Sequence, residues 1–212
     1  MIRAILFDFD GVVVQSELLH KKTFMELLSP WGVDVSDERW YREFAGTGSR
    51  HIFEVLVREN GIREEPSVLV ERRKAVYEGY VRGGALKETA GVREFLSAAR
   101  AAGLKTAIVS GSHRTNVELA LSVLALGEYF DLIVSGDDLK ARKPDPQPFL
   151  HAAESLGVRP DECVAIEDSR SGMLAASRAG MRLVCVDAHP AVDKNLCSLI
   201  VKDFRGLGPG NL

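Results

Sequence analysis

Short, nearly continuous apolar runs recur along the chain and alternate with segments that have the spacing of helices. A strand covered by helices on both faces is apolar at almost every position, so these runs predict buried parallel strands. They are Ile2–Phe7, Lys105–Val109, Leu132–Val134, Val164–Ile166 and Leu183–Val186. The helical segments between them end just before a glycine, a common helix stop; they are Val92–Ala102, Pro148–Leu156 and Gly172–Ala179. This alternation predicts an α/β fold with a doubly wound parallel sheet.

The stretch from Ser16 to Ala85 departs from this alternation. It contains no run typical of a strand, and three of its segments have the apolar spacing of helices; they are Glu17–Leu28, His51–Glu59 and Val68–Val81. We therefore expect two domains. Residues 1–15 and 86–212 would form the α/β core, and residues 16–85 would form a helical domain inserted after the first strand.

The composition of the 212 residues narrows the classes of function. Hydrophobic residues make up 46% and charged residues 27% of the chain, as in ordinary globular proteins. The net charge of −3 and the lack of a dense Lys/Arg block disfavour a nucleic-acid partner, which normally requires a basic face. No apolar stretch approaches the ~20 residues of a membrane span, and the N-terminus does not have the pattern of a signal peptide. We expect a cytoplasmic protein with no membrane partner; its oligomeric state is not predicted.

The three cysteines have no spacing typical of a metal site. Cys163 and Cys185 lie within apolar runs, whereas Cys197 does not. Cysteines in such runs usually behave as small buried hydrophobes. We therefore expect Cys163 and Cys185 to be buried, reduced thiols.

The first segment with candidate chemistry is Asp8-Phe9-Asp10-Gly11, directly after the first predicted strand. Parallel sheets of this class bind ligands at the carboxyl edge, where these two acids would lie. Burying unpaired carboxylates is unfavourable, and a cation such as Mg²⁺ would offset that cost. Gly11 comes too early for a calcium-binding EF-hand loop. By itself the segment is also compatible with two solvated acids in a turn.

Three further polar motifs follow predicted strands. Ser110-Gly111-Ser112 could bind an anion through a hydroxyl and backbone N–H groups, or Ser112 could simply cap a helix. Lys143 precedes Pro144 and could neutralise phosphate, although this motif taken alone favours a solvated basic loop. Glu167 and Asp168 repeat the arrangement of the first motif. Together, the two acid pairs could complete the oxygen shell of one divalent cation.

These four motifs, in this order, resemble the haloacid dehalogenase superfamily across nearly the whole chain. The resemblance implies a Rossmann-like core. The helical insert is similar to the α-helical cap of the subfamily that includes phosphoglycolate phosphatase, sugar-phosphate phosphatases and β-phosphoglucomutase. The family resemblance further implies a Mg²⁺-dependent phosphatase that acts on a small phosphorylated metabolite such as a sugar phosphate or phosphoglycolate.

The resemblance also assigns roles to individual residues. Asp8 would attack the phosphoryl group to give an aspartyl-phosphate, and Asp10 would act as general acid and base. Phosphate would be bound by Ser110, Gly111 and Lys143. Mg²⁺ would be coordinated by Asp8, the carbonyl of Asp10, and Asp168, with Glu167 as a ligand or as support for one.

One departure from the family pattern and three rival functions stay open. Gln15 stands where the family often has an acid, which bears on hinge motion or substrate choice and not on the nucleophile. The segment that ends at Arg50 resembles the loop that β-phosphoglucomutases use to reach a distal phosphate, and His20 stands where those enzymes also have a histidine. A sugar phosphomutase is therefore the alternative enzyme, although related phosphatases share both features. His20 could equally be a packed residue and Arg50 a surface residue. A non-catalytic phosphate-binding protein would be expected to have lost one of the principal acids or Lys143, and a dehalogenase would need neither Mg²⁺ nor Asp10.

Overall fold

The computed structural model describes residues 1–186 and 195–212. Residues 187–194, which fall within the predicted core range, lie outside the described residues. The chain divides into two compact units, one formed by Met1–Gln15 with Lys87–Leu212 and the other by Ser16–Leu86. We refer to the first as the sheet unit and to the second as the helical unit.

In the part of the chain that the structure describes, the sheet unit is built on six parallel strands, which confirms the predicted doubly wound α/β fold. Their order across the sheet is β3-β2-β1-β4-β5-β6. In chain order the strands are β1 (Ala4–Phe7), β2 (Lys105–Val109), β3 (Leu132–Val134), β4 (Cys163–Glu167), β5 (Arg182–Val186) and β6 (Leu199–Val201).

The helices of both units follow the apolar spacing of the sequence. In chain order they are α1 (Glu17–Leu28), the single turn α2 (Asp37–Arg39), α3 (Ser49–Glu59), α4 (Pro66–Arg82), α5 (Val92–Ala101), α6 (Arg114–Val123), α7 (Gln147–Ser155) and α8 (Arg170–Arg178). A wider turn at Trp40–Phe44 continues α2. Short 3-10 turns occur at Ser29–Trp31, Gly127–Tyr129, Pro160–Glu162 and Pro209–Asn211.

Apolar packing on both faces of the sheet explains the continuous apolar runs. Successive residues of a strand point to opposite faces. Leu6 belongs to a buried cluster with Phe149 of α7 and Met173 of α8. The ring of Phe7 contacts that of Phe95 of α5 instead, with centroids 6.1 Å apart. Because β1 is buried on both faces, its C-terminal end is fixed, and so is the loop that carries Asp8.

The helical unit has its own buried core of aromatic and aliphatic side chains. The ring of Phe24 lies 5.4 Å from that of Trp40 and 4.7 Å from that of Phe53, measured between centroids. The fully buried Trp40 donates through Nε1 to a carboxylate oxygen of Glu17 at 2.7 Å, so its one polar atom is satisfied.

Two features differ from the sequence prediction. The short edge strand β6 was not predicted, because none of its three residues is fully buried and the run has no periodic context. The prediction of a reduced Cys185 was wrong: it forms a disulfide with Cys197, with Cα atoms 5.8 Å apart. Cys163 is free and buried as expected. Within the described ranges, no helix is long and apolar enough to cross a membrane.

Candidate active site

The sequence-predicted polar motifs of the sheet unit follow the carboxyl ends of its strands. The strand order reverses between β1 and β4, where open sheets of this class bind ligands. Asp8 follows β1, and its N–H donates to the carbonyl of Ile166 in β4 at 2.9 Å. Glu167 ends β4, and Asp168 follows it. The two acid pairs predicted from sequence are thus held on adjacent strands.

Lys143 joins the acids of β1 and β4. Its Nζ donates to Oδ1 of Asp8 at 2.7 Å, to Oε1 of Glu167 at 2.5 Å and to the carbonyl of Val109 at 2.7 Å. An ammonium has three N–H groups, and these contacts use all three. The side chain of Lys143 is 11% exposed and that of Glu167 fully buried, so bulk water screens the cluster little.

The loop that carries Lys143 is fixed by its own contacts. The carbonyl of Pro144 accepts a hydrogen bond from Arg178 of α8 at 2.8 Å. The ammonium lies 5.1 Å from the ring centroid of Phe149, which is fully buried in α7. The aliphatic stem of Lys143 therefore has little freedom to move its charge away from the acids.

Burial governs the titration of this cluster. It raises the pKa of Asp8 to about 7, and the neighbouring Glu167 carboxylate adds to the rise while Lys143 opposes it. The pKa of Asp168 is raised well above its ordinary value, again by burial first and then by Asp8 and Glu167. Burial alone would lower the pKa of Lys143, but Asp8 and Glu167 together raise it above its ordinary value.

These shifts indicate an excess of negative charge that one lysine does not balance. Asp8, Glu167 and Asp168 each offer an oxygen, and these three oxygens lie within 4.8 Å of one another. All three residues are buried. Carboxylate oxygens at this spacing suit a hard divalent cation, which would stabilise their ionised forms. The donor set therefore fits Mg²⁺.

Asp10 has a partner that the sequence analysis did not assign to it. The hydroxyl of Ser112 donates to Oδ2 of Asp10 at 2.6 Å. The backbone N–H of Ser112 in turn donates to Oγ of Ser110 at 3.0 Å. Ser110 is buried, and the neighbouring Gly111 is exposed. The Ser-Gly-Ser motif thus connects the predicted phosphate-binding residues to the predicted acid/base, and the contact of Ser112 with Asp10 was not predicted from the motif.

His20 and Arg50 belong to the helical unit. The ring of His20 stacks on Tyr77, with centroids 4.8 Å apart, and its Nδ1 lies 2.6 Å from Nη2 of the buried Arg73. The side chain of Arg50 is 77% exposed and pairs with Glu54 one helical turn later at 3.0 Å. His20 is therefore packed within its unit, whereas Arg50 is a surface cation.

Gln15 lies where the two chain segments that border the helical unit run side by side. Its N–H donates to the carbonyl of Lys87 at 2.9 Å, and the N–H of Thr89 donates to the carbonyl of Val13 at 2.9 Å. The Gln15 amide also donates to Oγ1 of Thr89 at 2.9 Å. An amide at this position thus supports the pairing of these segments through an uncharged hydrogen bond.

Comparisons with known proteins agree with this geometry. The model of the family described as haloacid dehalogenase-like hydrolase matches residues 5–186. The protein CbbY of Cereibacter sphaeroides is 35% identical over 194 residues, which cover 87% of this chain and 84% of the relative. A phosphorylated carbohydrates phosphatase of Thermotoga maritima is 31% identical over 194 residues, covering 91% of this chain and 88% of the relative. The crystal structure of CbbY from Rhodobacter sphaeroides in complex with phosphate has 26% identity and a TM-score of 0.85, and the match covers 100% of this chain and 99% of that one.

Proposed function

This chain belongs to the haloacid dehalogenase-like hydrolase family and is a phosphatase, and from that premise we propose that it hydrolyses a small phosphorylated carbohydrate through an aspartyl-phosphate on Asp8, with Mg²⁺ as its cofactor. The observation that carries the proposal is the contact of Asp8 with Lys143, beside the carboxylates of Glu167 and Asp168. A nucleophilic carboxylate, a fixed cation and neighbouring carboxylates that can hold a metal ion are what phosphoryl transfer to an aspartate requires.

In the first half-reaction, a carboxylate oxygen of Asp8 forms a bond to phosphorus while the bond from phosphorus to the sugar oxygen breaks. Asp10 donates its proton to that departing oxygen. The hydrogen bond from Ser112 holds the carboxyl group of Asp10 in one orientation, so that the proton is delivered at a defined position. The dephosphorylated sugar then leaves.

In the second half-reaction, Asp10 accepts a proton from water as the water oxygen attacks phosphorus. The bond between phosphorus and the Asp8 oxygen breaks, which releases phosphate and restores the carboxylate. A mutase would instead keep water out and return the phosphoryl group to a sugar. Access of water to the aspartyl-phosphate is therefore what distinguishes a phosphatase from a mutase.

Lys143 and Ser110 bind the oxygens of the transferring group. Because all three N–H groups of Lys143 are used within the protein, a phosphoryl oxygen must replace one of its acceptors. The acceptor to be replaced is Asp8, whose charge is lost when its oxygen bonds to phosphorus. Glu167 and the Val109 carbonyl keep the ammonium in place throughout.

Mg²⁺ would be held by Asp8, Asp168 and the carbonyl of Asp10. When bound, it supplies positive charge that offsets the repulsion between the Asp8 carboxylate and the phosphoryl oxygens. Glu167 already accepts hydrogen bonds at both of its oxygens, so we assign it to support of Lys143 and of the Asp168 backbone.

A panel of phosphorylated metabolites tests the proposal. The purified protein with Mg²⁺ is assayed for phosphate release from hexose, pentose and alditol phosphates, phosphoglycolate and nucleoside monophosphates, and glucose 1-phosphate is followed for isomerisation. We expect release from carbohydrate phosphates and none by the Asp8→Asn variant. Isomerisation without net release would favour the mutase. Full activity of Asp8→Asn would exclude the aspartyl-phosphate.

A further inference from the structure

Two glycines lie where the carboxylates of the second acid pair would otherwise meet a side chain. A Cβ atom on Gly172 would lie 1.8 Å from Oε1 and 2.0 Å from Cδ of Glu167. A Cβ atom on Gly11 would lie 1.9 Å from Oδ2 of Asp168. Non-bonded carbon and oxygen atoms do not approach so closely, since contacts are optimal near 3.5 Å. Each carboxylate therefore occupies the volume that a side chain at its glycine would fill.

The backbone gives no reason for a glycine at position 172. Gly172 is the third residue of α8, and its φ is not among the positive values of the chain. A glycine inside a helix is unfavourable relative to alanine, because it loses more conformational freedom on folding. Gly11 is different, since its φ of +80° already favours glycine. At Gly172, the carboxylate of Glu167 is the feature that excludes a side chain.

The carboxylate that rests against Gly172 is fixed from several directions. Oε2 of Glu167 accepts from the N–H groups of Asp168 and Ser169, each at 3.1 Å, and from the Ser169 hydroxyl at 3.0 Å. The N–H of Gly172 donates to that same hydroxyl at 3.1 Å. Oε1 accepts from Lys143. A displaced Glu167 would lose these bonds together and would release one of the three contacts that hold Lys143.

We propose that Gly172 is a positioning residue for the phosphoryl-transfer site: by lacking a side chain, it lets Glu167 lie where it orients Lys143 and the backbone of Asp168. Gly11 leaves the corresponding space for Asp168. The inference about activity and metal rests on the proposed function, whereas the inference about the space beside Gly172 stands on geometry alone. The two can therefore fail separately.

A double-mutant cycle between Gly172→Ala and Glu167→Ala tests the proposal. In the parent protein, Gly172→Ala should lower the thermal unfolding midpoint by about 5 °C, because Glu167 is displaced from its bonds. In the Glu167→Ala background, the added methyl group meets no carboxylate, and the midpoint should stay level or rise. Gly79→Ala near the end of α4, where a Cβ would meet no atom within 4 Å, is the matched control; its midpoint should stay level or rise, as for a helical glycine replaced without a clash, and its activity should not change.

Mg²⁺ binding, measured by titration calorimetry, provides the second readout. Gly172→Ala should weaken binding about tenfold, as loss of the support around a metal ligand usually does, and should add nothing in the Glu167→Ala background. If Gly172→Ala does not fold but the double variant does, that result supports a steric clash between the added methyl group and the Glu167 carboxylate. An equal loss in both backgrounds, or no loss in the parent, would overturn the proposal. The parent protein could also fail to bind Mg²⁺ while Gly172→Ala still lowers the unfolding midpoint only when Glu167 is present. That result would exclude Mg²⁺ from the proposed function and would support the role of Gly172 in positioning Glu167.

Discussion

The ammonium of Lys143 lies 2.7 Å from the carboxylate of Asp8, although 135 positions separate the two residues in the chain. The sheet makes the contact possible, because β1 ends one residue before Asp8 and the loop that carries Lys143 follows β3 on the same side. Burial makes the contact strong, since few waters compete with the pair. The nucleophile is thus oriented by the cation that is proposed to bind its phosphoryl group.

Removal of the Lys143 charge should abolish most activity. Lys143→Met keeps the apolar stem but leaves Asp8 without its cation, so we expect kcat to fall by about 10²–10³-fold, as for the loss of one group that stabilises a transition state. Lys143→Arg should not restore activity, because a planar guanidinium does not reproduce three contacts from one nitrogen. Phosphate release under saturating Mg²⁺ measures the effect.

Lys140→Met is the matched control for that variant. Lys140 lies three residues earlier in the same loop and is exposed. Its replacement should leave kcat within about twofold, since surface substitutions away from special features change little. A similar loss in both variants would point to damage of the loop and would contradict a specific role for Lys143.

The Asp10→Asn variant should show a dependence on the leaving group. Asparagine keeps the shape and can accept the hydrogen bond from Ser112, but it cannot transfer a proton to the sugar oxygen. General acid catalysis typically contributes 10²–10⁴-fold, so we expect a loss of this size with a sugar phosphate in single-turnover measurements. Formation of the aspartyl-phosphate from p-nitrophenyl phosphate should fall much less, because nitrophenolate needs little protonation. Equal losses in this step for both substrates would contradict the role of Asp10 as acid.

The elements of the sheet unit were largely predictable because their signals are local. Continuous apolar runs located β1 to β5, and the terminal glycines located the ends of α5, α7 and α8. The family resemblance that these motifs carried is confirmed by the family match. Roles of individual residues, and the function of the helical unit as a cap, stay predictions.

The features that were not predicted depend on contacts between distant residues. The hydrogen bond between Asp10 and Ser112 joins residues 102 positions apart, and nothing in the local sequence around either residue predicts it. From the sequence, Gly172 is predicted only to lie at the start of a helix. The position of the Glu167 carboxylate explains why this residue is a glycine. Cys185 has the apolar neighbours of a buried thiol, and its pairing with Cys197 depends on β6 lying beside β5.

Arg50 offers a test of substrate recognition that is independent of stability. Its side chain is largely exposed, and an exposed ion pair such as that with Glu54 contributes little to folding. If Arg50 binds the substrate, Arg50→Ala should raise KM for the preferred carbohydrate phosphate about tenfold, since a hydrogen bond to a charged group contributes about 1.5–3 kcal/mol. KM for p-nitrophenyl phosphate should not change. Glu54→Ala is the control, and an equal KM effect from it would show that Arg50 acts only through that pair.

Asp138 should give the sheet unit part of its stability in a pH-dependent manner. Its Oδ2 accepts from the N–H of Ser135 at 2.6 Å, from the Ser135 hydroxyl at 2.8 Å and from Arg114 at 2.7 Å. Burial opposes ionisation, but these donors prevail and lower the pKa of Asp138. A carboxylate with a lowered pKa stabilises the folded state above its unfolded pKa of ~3.9, and this contribution is lost as pH falls through the folded value.

Asp138→Asn should therefore lower the free energy of unfolding by about 1 kcal/mol at pH 7, because it removes the charge from these hydrogen bonds. The difference from the parent protein should shrink as pH falls below ~3.9 and should vanish once Asp138 is protonated in both the folded and the unfolded state. Urea unfolding of both proteins in EDTA, at pH 7 and at several acid pH values, measures this difference. Asp145→Asn, whose carboxylate accepts from the N–H of Gln147 at 2.8 Å, is a milder comparison. A difference between the parent and Asp138→Asn that stays constant into acid would mean that shape, and not charge, explains the effect of Asp138.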